Sequence, residues 1–166
     1  MDASLHPKRI PIAIITFILI LPSLLVFASR IYTSLVLAQA HSRGVYLSAE
    51  QAMMALINQS YRDLSRIDIL YAGPNSFDRS QAHVWYVTAE VRAASRALGF
   101  PMGDNGCDAP GSYFLQTREG WVHVPEGAFP DFIGFWMSVF GEAGPGQSNP
   151  STDWAPTQPA RFCQST

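Results

Sequence analysis

The chain holds one lysine, Lys8. Beyond Arg9, nine arginines stand against twelve acidic residues, a net charge of −3 with histidine neutral. Nucleic-acid binding needs many phosphate-neutralising cations on one face, and no basic stripe is present, so that class is excluded. Cysteine is equally scarce. Cys107 and Cys163 are the only two, and neither belongs to a C-x-x-C. A thioredoxin-type centre and covalent haem attachment therefore have no support. The phosphate-cradling G-x-x-x-x-G-K-[ST], a strand-borne G-x-G-x-x-G, H-E-x-x-H and G-x-S-x-G are all missing as well.

What the chain has in quantity is a long apolar run. Lys8 and Arg9 precede an uncharged stretch over residues 10–29. About 20 residues rising ~1.5 Å each match a hydrocarbon core, so the run reads as one transmembrane helix. Pro11 suits a first helical turn and Pro22 suits a kink within the span. A cleaved secretory signal is the competing reading. Val26-Phe27-Ala28 places small residues at its −3 and −1 positions, and Ala38-Gln39-Ala40 is a literal A-x-A. The run exceeds the usual 7–15 residues of a signal, however, and Ala38-Gln39-Ala40 lies beyond Arg30. Retention as a signal anchor is the expectation, with Ile31, Leu35, Val36 and Ala38 continuing the helix out of the lipid. No cysteine lies near the run, so a lipoprotein signal is excluded.

Lys8 and Arg9 lie before the span, Arg30 and Arg43 after it, a weak charge bias. The short leading tail and the paired cysteines favour a cytoplasmic N-terminus and an extracytoplasmic body. A Cys107–Cys163 disulfide would tie down the end of the chain; two free thiols are the alternative.

Removal of the stem leaves one small domain's worth of sequence. Ser48 followed by Gln51 marks a capping box and predicts a helix over residues 49–62, with Ala49, Ala52, Met53, Leu56, Ile57 and Ser60 on one stripe. Alternation predicts strands at 66–72 and 85–93, the second with Trp85, Val87, Ala89, Val91 and Ala93 on one face. Residues 97–111 read as a long loop, and 112–124 as a hairpin turning at Glu119-Gly120. Pro130 and Gly141 bound a second helix that has few polar positions. Such a helix is buried all round, packed on a partner, or lying in a membrane interface. From Gly144 the chain is rich in Pro, Gly, Ser, Thr and Gln, with Trp154, Phe162 and Cys163 as its only anchors.

The fold class expected is α+β: a transmembrane helix, then a two-layer domain with a helix on a four-stranded antiparallel sheet, a short apolar helix and a Pro/Gly-rich tail. The order of elements over residues 48–124 resembles the cystatin-like or NTF2-like architecture, which hosts many functions. The organisation expected is a cytoplasmic tail at 1–9, an anchor at 10–29, a helical extension at 30–47, the domain at 48–141 and the tail at 142–166.

Candidate chemistry is sparse. His83, His123 and Glu90 could share a metal or acid/base site, although strand histidines are more often structural and zinc needs more ligands. Glu90 beside Arg92 could be a general base in a cup, or an ion pair on a solvated sheet face. Residues 103–108 resemble a calcium loop without its glutamate. Asn58-Gln59-Ser60 matches a glycosylation acceptor but falls inside a helix. No catalytic residue, cofactor or metal is expected.

The function expected is that of a single-pass membrane protein acting through protein contact, as an accessory subunit of a membrane complex. Its partners are lipid and protein, and Trp121, Phe132, Phe135, Trp136 and Phe140 are the interface candidates. The alternative is an NTF2-like ligand binder or enzyme with a pocket lined by Met53, Ile57 and Trp85 and a polar group such as Glu90.

Overall fold

A computed structural model of the chain describes residues 12–74, 82–99, 102, 106–145 and 163. It is α+β, with an N-terminal apolar helix and a mostly antiparallel sheet. Helix α1, Ile12–Ser42, passes through Pro22 without ending. From Ile20 it is long and apolar enough to cross a membrane.

Two halves of α1 have different surroundings. Ile20, Leu21, Leu24, Leu25, Val26 and Phe27 are exposed, whereas Thr33, Val36, Leu37 and Ala40 are buried against the rest of the protein. The end of α1 is thus part of the folded head. Arg43 and Gly44 turn the chain, and the Tyr46 and Trp121 N–H groups each donate to the other residue's carbonyl, at 2.9 and 2.7 Å. That pair covers an edge which would otherwise present free backbone groups.

Helix α2, Ala49–Ser60, starts as expected: the Ser48 side chain accepts from the Gln51 N–H. It stops two residues short of the expected end because Tyr61–Arg62 leave the helix as strand β1 and pair with β4, Ser95–Arg96. The main sheet runs β2 (Arg66–Pro74), β3 (Val84–Arg92), β6 (Gly111–Gln116), β7 (Trp121–His123), with β5 (Cys107–Asp108) also on β3. It therefore has five strands where four are expected. The fifth arises inside the expected loop. β5 and β6 both pair with β3, along Arg92–Val91 and Thr88–Val84, and are separated by Ala109-Pro110. Pro110 has no N–H to give a ladder, although its carbonyl still accepts from the Ala89 N–H at 2.9 Å.

One face of the sheet carries Trp85, Val87, Ala89, Val91 and Phe114, and packs on Ala49, Ala52, Met53 and Ile57 of α2. The other face carries Val84, Leu115 and Val122. These would be stranded apolar groups in a two-layer domain. They are covered by Ile133 and Met137 of helix α3, Pro130–Phe140, together with Val36, Leu37 and Ala40 of α1. Half of the sheet is therefore sandwiched in a third layer. α3 begins at its proline and ends at Gly141 in the left-handed region (φ 70°), as its sequence requires. Gly134 lets it come close: a Cβ there would meet Val84 Cγ2 at 2.3 Å.

Candidate functional site

One open space among the described residues of the head lies at an edge of the α2–sheet layer. It is a cleft of about 550 Å³ walled by Leu56, Ile57 and Ser60 of α2, Tyr61, Arg96 and Leu98, and by residues 108–112 with His123 and Glu126. Where α2 ends, Tyr61 projects toward β5. Its hydroxyl donates to Asp108 Oδ2 at 2.7 Å, Arg96 Nη2 donates to the same oxygen at 2.5 Å, and the Ala109 N–H donates to Oδ1 at 2.9 Å. Three chain segments meet on one carboxylate.

Charge follows from that geometry. Burial pushes the Asp108 carboxyl up, but the bonds from Tyr61, Arg96 and the Ala109 N–H outweigh it and hold the group below the ordinary carboxylate range. Burial, then the bond to Asp108, drives the Tyr61 phenol far above its usual value. The bond to Asp108 likewise raises Arg96. The result is a fixed ionic floor with a phenol that stays protonated.

The opposite wall holds a Ser112 Oγ–His123 Nε2 hydrogen bond of 3.0 Å. His123 faces Phe114 in the hairpin register, with Ser112 its diagonal neighbour. Burial, then the charge of Arg43, lowers the His123 pKa against the pull of Glu126. The imidazole is neutral at pH 7. A serine nucleophile needs a base that a third group orients; among the described residues no carboxylate hydrogen-bonds His123.

These shifts predict a stability plateau. His123 favours folding above its unfolded pKa of about 6.5, and that contribution is lost as pH falls toward the lower folded value. Tyr61 acts in the other direction: its contribution is present below about pH 10 and is lost as pH rises past it. Melting the lipid-reconstituted chain across pH should show a fall on both sides. His123→Gln should flatten the onset below about pH 6.5. An unchanged acid limb would show that another group sets it.

The other candidates are placed elsewhere. His83 is buried and bonded to the Gly134 carbonyl at 2.9 Å, so it fastens α3 to the sheet. His83, His123 and Glu90 share no site, and among the described residues no three His, Cys, Asp or Glu side chains are placed to hold a metal. Glu90 is not on a solvated face: it is buried, and its Oε1 accepts from the Cys163 N–H at 3.2 Å. On that face Arg66 of β2 pairs with Asp68 at 2.9 Å. Cys163 and Cys107 lie at disulfide distance with Cα atoms 5.8 Å apart, which holds Cys163 against Glu90. Residues 103–105 of the calcium-like loop, and the tail anchors Trp154 and Phe162, lie outside the described residues; Asp108 is committed to Tyr61 and Arg96.

Trp121 is not an interface residue. It is 1% exposed and packs on Trp85 with centroids 4.9 Å apart, because its strand is covered on the α2 side. Phe132 and Phe135 are exposed on α3, while Trp136 and Phe140 are half-buried and stacked on each other. The pocket expected around Met53, Ile57 and Trp85 is filled by those side chains. Sequence reasoning missed Tyr61, Arg96 and Ser112. Only Ser112 had a readable signal, in the hairpin register.

Comparison of the chain with protein-family models, with curated proteins and with solved structures yields no significant match.

Proposed function

We propose that this chain is a single-pass membrane protein whose head lies outside the cytoplasm and works by protein contact, as an accessory subunit of a membrane complex. The carrying observation is that α1 does not stop where its exposed apolar half stops. Val36, Leu37 and Ala40, on the same uninterrupted helix, belong to the head's second core. A head fused to its anchor in this way is held at a set height and orientation above the lipid. A contact role within a membrane assembly uses that constraint; a freely tethered domain would not need it. The same packing argues against cleavage after Ala40, which would cut Val36, Leu37 and Ala40 out of the core. The cysteine pair supports the extracytoplasmic side. The helix across one sheet face supports a cystatin- or NTF2-like order of elements.

The surface proposed for the partner is the cleft. Leu98 stands 85% exposed beside the Tyr61–Asp108–Arg96 floor, a projecting apolar group next to a pre-bonded polar network. Mass measurement of the chain extracted in native lipid tests this. The expected result is a complex of defined stoichiometry that Leu98→Asp dissociates while the head still melts as before. A monodisperse single chain, or a complex indifferent to Leu98→Asp, would argue against it.

The cleft's size and its mixed lining favour one second reading, a small-ligand site in the same place. It predicts a melting shift of the purified chain with a small molecule in the absence of any partner, abolished by Asp108→Ala.

A further inference from the structure

α3 presents two faces. Ile133, Gly134 and Met137 are buried in the second core. On its outer side Phe132, Phe135 and Val139 are exposed at 42%, 52% and 55%, and Phe129, just before the helix, at 70%. Three large apolar side chains on one helix and a fourth just before it, left in water, form an unusual patch for a small head.

Its position decides what covers it. Phe129 and Phe132 border a single groove with Leu25, Ala28, Ser29 and Tyr32 of α1. The Phe132 and Tyr32 rings meet edge-on at 5.8 Å. Arg30, the first charge after the apolar run, lies over the Phe140 ring at 5.4 Å. The patch is thus continuous with the exposed apolar half of α1, at the point where that half ends. An arginine and a tyrosine at the end of an apolar span mark the headgroup level, where aromatic side chains are enriched. A helix whose outer side is apolar at that level lies in the interface plane, its apolar face ~5–10 Å into the headgroup–acyl boundary.

We infer that the outer face of α3 is a lipid-binding surface: Phe129, Phe132, Phe135 and Val139 enter the outer leaflet of the bilayer that α1 spans, and the head rests on the membrane. This rests on the anchor reading above. It assigns to lipid two of the residues, Phe132 and Phe135, that the sequence suggested for a protein partner.

The test is collision of nitroxide labels with oxygen and with a water-soluble nickel chelate, on the full chain in phosphatidylcholine nanodiscs. Labels go on Phe135→Cys and Val139→Cys, both more than half exposed, so that core packing is left alone. Leu47→Cys, 86% exposed and outside the cleft, serves as the water reference and Leu25→Cys as the lipid reference. The expected result is a several-fold lower nickel collision rate at 135 and 139 than at 47, with oxygen collision raised as at 25. Nickel collision at 135 and 139 equal to that at 47 would overturn the inference. So would shielding from both reagents, which would mean that protein, a partner or a second copy, covers α3. A label at 25 that meets nickel freely would overturn the anchor itself, and the inference with it.

Discussion

Trp121→Ala is expected to destabilise the head by about 3–5 kcal/mol, the cost of removing a fully buried indole from a packed core. Trp121 is a seam between layers. Its ring lies against Trp85, its cluster includes Met53 and Ile57 of α2, and its backbone carries the pair of bonds that fasten Tyr46 to the sheet edge. Thermal melting of the reconstituted chain, followed by proteolysis of the head, reads this loss. Leu47→Ala, at a side chain 86% exposed just before α2, should by contrast shift stability by no more than about 0.5 kcal/mol. Equal, small effects of both substitutions would mean that Trp121 is not the core residue described here.

Removal of the cysteine pair is the second large effect. Cys107 and Cys163 are 56 residues apart in sequence. Closing a loop of that length removes unfolded-state entropy worth about 4 kcal/mol on the chain-entropy estimate. The matched pair of variants Cys107→Ser and Cys163→Ser should each lose that amount, and the double variant no more than either single one. The local consequence differs from the global one. Cys163 lies over Glu90, whose Oε2 is buried without a hydrogen-bond partner among the described residues. Release of the tail should bring this carboxylate into water and relieve part of the cost of its burial. A double-variant loss well above either single one would mean that the sulfurs act separately. A loss near zero in all three would mean that the end of the chain adds nothing to the head.

The elements that local chemistry specifies were legible. Ser48 begins α2, Pro130 begins α3 and Gly141 ends it, since capping and φ restriction act within one turn. The strands at β2 and β3 followed from alternation. What alternation does not say is how many layers a sheet has. Glu90 and Trp121 show the two ways this misleads. Glu90 stands on the polar side of β3 and reads as solvated, yet Cys163 covers it from 73 residues away. Trp121 reads as an available aromatic anchor, yet α2 and Trp85 enclose it. The split of β5 from β6 at Ala109-Pro110 was hidden in a stretch dense in glycine, where loop signals outweigh a two-residue pairing. The cleft was the least legible feature. Tyr61, Arg96 and Asp108 come together across 47 and 12 residues with no shared periodicity. Their meeting depends on α2 ending at Ser60, so that Tyr61 enters a strand instead of another helical turn.

The central claim is that one unbroken helix is both the membrane anchor and a wall of the head. The most direct measurement is the intact mass of the chain recovered from alkali-washed membranes of cells that express it. Retention predicts a species that resists the wash and whose mass includes the apolar residues before Ser29. A chain that starts at or after Ser29 and leaves with the wash would contradict the claim.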